Sequence, residues 1–138
     1  MAEETMVLYA LNMVFNFLNG SFNKVWICFG IATRLMLALQ ANWDSQLKGR
    51  SFIEDECLRR IAWHTWNMDR LLAGGYDEYV SCRKEIMKVR LPCNDAAFRE
   101  NREVVAERLQ DRPGKSKNAI GIYGWQLRLV DVRHRVQV

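Results

Sequence analysis

The sequence predicts an all-α protein: an antiparallel helical hairpin, a third long helix, an irregular loop region and a C-terminal helix. Three observations point that way. Apolar residues recur at helical spacing over residues 3–19, 22–41 and 52–73. The chain has only two prolines, so long helices meet few interruptions. Gly20 follows the first apolar stretch and the pair Gly74-Gly75 follows the third, where helices usually stop.

The first helix is expected over Glu3–Asn19. Glu3 and Glu4 suit the positive end of its dipole. Ser21 then offers an N-cap for a second helix over Phe22–Ala41. A connector as short as Gly20-Ser21 makes the two helices antiparallel neighbours. The second helix is apolar almost all round, with Val25, Trp26, Ile27, Phe29, Ile31 and Leu35, and so calls for burial on several sides. Asn42–Arg50 reads as a polar connector. Ser51-Phe52-Ile53-Glu54 is a capping box that starts a third helix over Phe52–Ala73.

On a wheel of 100° per residue, Leu58, Ile61, Ala62, Thr65, Met68 and Leu72 share one side of this third helix. Arg60, His64 and Asn67 lie opposite, and Arg59, Trp63, Trp66 and Arg70 line a flank. Asp69 falls inside the apolar group. Residues 76–95 are less regular, with 81–89 forming a short helix or extended turns and Leu91-Pro92-Cys93 extended because of its proline. Weak helical character over 98–109, a breaker-rich loop over 111–118 and a last helix over 119–136 complete the chain. The domain plan is a core at 1–98, a loop or linker at 99–118, and the start of a further helix of the same domain at 119–138.

At 138 residues with 49% hydrophobic side chains, the chain suits one folded domain. Its net charge of +4 is uneven. Residues 1–98 hold 11 basic and 11 acidic residues, and residues 99–138 hold 9 against 5. The excess sits in a loop and a terminal helix rather than on one formed face, which favours a plain basic tail over a phosphate-gripping surface. The cysteines Cys28, Cys57, Cys82 and Cys93 form no CxxC and have no zinc-ligand spacing to either histidine. Cys28 and Cys57 lie in apolar helical stretches, as small hydrophobes do. Reduced thiols in an intracellular compartment fit this pattern. The acidic start Met1-Ala2-Glu3-Glu4 does not resemble a secretory signal. Val25–Leu39 is too short to span a bilayer and contains Arg34, so no membrane partner is expected.

Candidate chemical sites fail on geometry. Gly114-Lys115-Ser116 tempts a phosphate-loop reading, but Leu109 stands where that motif needs glycine. His64 lies opposite the apolar side without a nucleophile beside it, and reads as a surface histidine. The acidic run Glu54-Asp55-Glu56 complements the dipole of the third helix more simply than it binds a cation. Trp26, Trp63 and Trp66 suit core or interface packing better than base stacking. Trp66 and Arg70 are four apart, the spacing of a cation–π contact. Arg34 is the only charge between Lys24 and Asp44, and Asp69 is the one charge on the apolar side of the third helix. The two are therefore expected to pair, since a lone buried charge is costly.

Three motifs in order carry a resemblance. Gly20…Trp26-Ile27-Cys28-Phe29-Gly30-Ile31-Ala32-Thr33-Arg34 comes first. Glu56…Arg59-Arg60-Ile61-Ala62-Trp63, then Met68-Asp69-Arg70-Leu71-Leu72, comes second. Leu91-Pro92-Cys93-Asn94-Asp95 closes the set. Over about Met6–Phe98 the chain resembles the fungal-specific transcription factor domain, the middle homology region of fungal zinc-cluster regulators. Gly75-Tyr76 departs from the Gly-Arg-Pro often found there.

The resemblance implies an all-α regulatory domain in a nuclear regulator and no enzyme. It marks Trp26, Gly30, Arg34, Arg60, Trp63, Asp69, Arg70, Pro92 and Cys93 as structural motif residues, with no catalytic, cofactor or metal ligand. Zinc is implied only for a DNA-binding module that this sequence lacks, so the chain reads as a fragment. Partners would be intramolecular segments or proteins of the transcription machinery, with DNA reached only through that module. A small-molecule effector is also compatible. The alternative is a stand-alone helical adaptor or small-molecule-binding bundle.

Overall fold

The computed structural model describes residues 1–44, 50–114, 116 and 118–137. They form five helices: α1 (Ala2–Leu18), α2 (Phe22–Ala38), α3 (Phe52–Ala73), α4 (Asp95–Arg99) and α5 (Ile122–Gln137). Two 3-10 turns, Asp77–Tyr79 and Lys84–Ile86, lie between α3 and α4. No strand occurs among the described residues, only two isolated bridges, Trp43 with Lys88 and Cys93 with Ile120. Residues 45–49 of the expected polar connector, and Lys115 of the rejected phosphate loop, lie outside the described residues.

Helix ends explain most of the boundaries. Gly20 at φ +70 closes α1, with the Ser21 N–H reaching the Asn16 carbonyl at 2.9 Å and the Gly20 N–H reaching Phe17 at 3.1 Å. This pair of bonds satisfies carbonyls that the helix would leave open. The same device ends α2 at Gln40, φ 52, where Ala41 donates to Met36 at 3.0 Å. Helix α2 therefore stops three residues before the expected Ala41. It recurs at Asn101, φ 50, where Arg102 donates to Ala97 at 2.9 Å. Consequently α4 is one short turn, and of the weak helix expected over 98–109 only Phe98 and Arg99 are helical. Ser21 occupies the N-cap place of α2 but makes no side-chain cap bond. Its ψ of 60 is not the extended geometry that aims a cap hydroxyl at the helix.

Helix α3 has the expected bounds. Ser51 and Glu54 form the full capping box, and Gly74 at φ 59 ends it. Helices α1 and α2 pair as the expected antiparallel hairpin, and α3 packs against both. One apolar cluster joins Ala10, Met13, Val25, Phe29, Ala32 and Met68 between these three helices. A larger one packs Trp63 and Trp66 of α3 against Met87, Leu91, Leu109 and Leu127. The wheel placed both tryptophans on a flank, yet both are fully buried, because the loop over 76–111 and α5 cover the side of α3 that faces away from the hairpin. Helix α2 is less enclosed than its sequence suggests, with Trp26, Ile27 and Leu37 exposed.

Two glycines, Gly121 just before α5 and Gly124 within it, mark close approaches. A Cβ on Gly121 would stand 3.0 Å from the Asn94 Cα, and one on Gly124 would stand 3.0 Å from the Ile120 Cβ. The start of α5 thus lies directly against the extended segment at 92–94. Gly30 is different: it has open space around it.

Candidate functional site

The polar residues of α3 form two clamps on the irregular loop. At its N-terminal end, Glu56 is fully buried. It accepts Arg60 Nε at 3.1 Å, the Cys93 N–H at 2.9 Å and a guanidinium N–H of Arg59. Arg60 goes on to the Cys93 carbonyl and the Asp95 carboxylate, both at 3.0 Å, and its guanidinium lies 4.3 Å over the Phe98 ring. Burial opposes charge on Arg60, but its bonds to Glu56 and Asp95 outweigh that and raise its pKa further. Pro92 and Cys93 are buried in the extended segment that this clamp holds. Midway along α3, the indole N–H of Trp63 donates to the Arg90 carbonyl at 2.7 Å.

The second clamp is at the C-terminal end. Asp69 is fully buried and accepts the Ser81 N–H at 3.1 Å, the Cys82 N–H at 2.8 Å and Arg70 Nη1 at 2.8 Å. Arg70, itself buried, lies 4.5 Å over the Trp66 ring, the expected cation–π contact. The expected Arg34–Asp69 pair does not form. Arg34 is exposed on α2 and makes no ion pair among the described residues. The charge at Asp69 is met by its own neighbour and by two backbone amides, so the second helix is not needed for it.

Two further carboxylates extend the lattice. Asp44 accepts the Arg90 N–H at 2.9 Å and pairs with the Arg90 and Arg108 side chains, each at 3.3 Å. Glu107 accepts Arg128 of α5 at 2.6 Å, the Ser116 N–H at 3.1 Å and the Gly114 N–H at 3.3 Å. Burial raises the pKa of Glu107, but these bonds outweigh it and leave it below the usual carboxylate value. Reading the sequence missed Glu107, Arg128 and Asp44, whose partners lie far along the chain. It also gave Glu56 to the helix dipole. The Glu56–Arg60 spacing of four was the one available signal.

Other expected features move as well. His64 is not a surface residue: it is half-buried beside the Ala10 carbonyl of α1, and burial lowers its pKa. Cys57 is exposed, not packed as a small hydrophobe. Burial pushes the Cys82 thiol up to about 12, with the Asp69 charge adding to it, and the Cys93 thiol up to about 11, with Glu56 adding to it. Trp26 sits at the surface, edge-on to Phe29 at 6.2 Å between ring centres. What these groups do is internal bonding. Each buried carboxylate already accepts three donors, and the two buried thiols stay protonated at neutral pH.

Among the described residues no helix is long and apolar enough to cross a membrane. No solved structure matches the chain. A curated relative, the Zn(2)-C6 fungal-type transcription factor FTF1c of Fusarium oxysporum f. sp. lycopersici, is 31% identical over an alignment of 98 residues that covers 64% of this chain and 10% of that protein. The chain thus corresponds to about a tenth of the length of this relative. Residues 6–125 match the family described as the fungal specific transcription factor domain. That match includes both clamps, the Trp63 contact and the start of α5, and the chain belongs to this family.

Proposed function

We propose that this chain is a regulatory module of a nuclear fungal transcription regulator. It acts on transcription through protein contacts, within the regulator or with the transcription machinery, and has no catalytic role of its own. Residues 1–98 are its core, 99–118 its connecting loop and 119–138 the first part of a continuing helical region. DNA would be read by a zinc-cluster module outside this sequence, as the name of the Fusarium relative suggests for that protein. No cofactor is needed here.

The observation that carries this reading is the family match over 6–125. The bonding pattern supports it, because the buried carboxylates and guanidinium groups of α3 are committed to backbone and to one another. The test is a reporter assay in a fungal host. The chain is fused to an unrelated DNA-binding module, and reporter output is compared with that of the module alone and of a fusion carrying Asp69→Ala. The reading expects the native fusion to change output and the variant to lose that change. Equal output from the native fusion and the bare module would overturn it.

A further inference from the structure

Helix α1 has two apolar stripes, and the fold uses one. Met6, Ala10 and Met13 are buried in the core. Leu8, Leu11, Phe15 and Leu18 are 57, 64, 66 and 78% exposed. Their spacing alternates between three and four residues, the pattern of a seam that receives another helix. Val7 and Val14 are exposed beside it. Helix α1 carries no basic residue, which argues against a membrane surface as the occupant, since helices that lie on membranes set Lys and Arg around an apolar stripe.

We propose that this seam binds a second copy of the same chain, with two α1 helices packed antiparallel across a two-fold axis near Leu11. A seam of this kind is self-complementary: Leu11 meets Leu11, and Leu8 meets Val14. Charge sets the direction. The only charges of α1 are Glu3 and Glu4, at its N-terminal end, and Glu3 is already tied to Arg50. A parallel pair would bring the two acidic ends together. An antiparallel pair sets each Glu4 beside Leu18 of the other copy, close to the Lys24 that follows the Gly20 turn. Exposed Phe22, edge-on to Phe17 at 5.8 Å, prolongs the apolar surface past that turn.

The area is sufficient. The exposed parts of the six α1 side chains come to about 600 Å² per copy, so pairing removes up to about 1,200 Å², the lower end of stable interfaces. Weak and transient pairs populate that end of the size range, so the concentrations to search run from about 1 to 100 μM.

Sedimentation equilibrium of the full chain over that range tests the proposal. The native chain of 16.2 kDa should pass from monomer to twice that mass with rising concentration. Leu11→Glu combined with Phe15→Glu should raise the dissociation constant at least about tenfold with unchanged helical circular dichroism. If that variant loses helical signal, Leu18→Glu at the end of α1, which would face Glu4 of the other copy, is the second probe, with the same expected shift. Glu4→Lys should weaken pairing, and adding Lys24→Glu should restore it. A native chain that stays monomeric at the highest concentration would overturn the proposal, and would leave the seam to another segment of a longer regulator. Open-ended oligomers, or a dimer indifferent to the Leu11, Phe15 and Leu18 changes, would overturn it equally. Failure of the charge exchange to restore pairing would overturn the antiparallel arrangement.

Discussion

The Asp69 carboxylate accepts the backbone N–H of Cys82 at 2.8 Å, inside a core that holds both residues away from water. The chain between them, residues 70–81, is pinned by this bond and by its neighbour from Ser81. Removing the carboxylate leaves the Arg70 guanidinium and two amides without their acceptor. Asp69→Ala is expected to cost about 3–5 kcal/mol, the range for breaking a buried ion pair from one side. Arg34→Ala, by contrast, should stay within about 0.5 kcal/mol, as an exposed side chain with no ion pair among the described residues does. Urea titration followed by tryptophan fluorescence measures both.

Glycines in and beside the helices should respond in opposite directions. Gly121→Ala puts a methyl group 3.0 Å from the Asn94 backbone, which cannot swing aside. It should destabilise by about 1–3 kcal/mol, as overpacking does. Gly30→Ala fills open space within α2 and removes backbone entropy from the unfolded chain, so it should stabilise by about 0.5–1 kcal/mol. Thermal melts of the two variants against the native chain decide the sign of each.

Gln40 holds a left-handed backbone at φ 52 to close α2. Glycine adopts that conformation without steric cost. Gln40→Gly is therefore expected to stabilise by about 1 kcal/mol, despite adding freedom to the unfolded chain. Asn101→Gly at the end of α4 should gain less, because asparagine tolerates the left-handed region better than glutamine does. Denaturant midpoints check the order.

Burial lowers the pKa of His64 below its ordinary 6.5. As pH falls through 6.5, the unfolded chain takes up a proton on this residue and the folded chain does not. Stability should therefore decline below that pH until the folded value is reached, and be fully present above it. His64→Gln should flatten this part of the stability profile. Unfolding free energies between pH 5 and 8 give the comparison.

Much of this was legible in the chain, and the limits follow from the physics. The capping box at Ser51 and Glu54 and the stop at Gly74 depend on neighbours within a few residues, so the bounds of α3 can be read directly. The same holds for the Trp66–Arg70 contact. Gln40 and Asn101 end their helices in the place usually taken by glycine, and nothing local marks them, so α2 reads too long and 98–109 too helical. The Arg34–Asp69 expectation rested on counting side chains alone. It left out backbone amides, which carry no sequence signal and supply two of the donors to Asp69. Glu107 and Arg128 face the same difficulty at a separation of 21 residues. The burial of Trp63 and Trp66 needed knowledge of where residues 76–111 fold back, which helical periodicity does not contain.

The buried carboxylates of α3 hold the irregular loop through its backbone. Amide hydrogen exchange tests it most directly, read at Cys82 and Cys93 in the native chain and in Asp69→Ala. Both amides should exchange only through global unfolding in the native chain, and Cys82 should lose at least about hundredfold protection in the variant, the equivalent of about 3 kcal/mol. Native exchange at Cys82 and Cys93 as fast as in an open surface loop would contradict it.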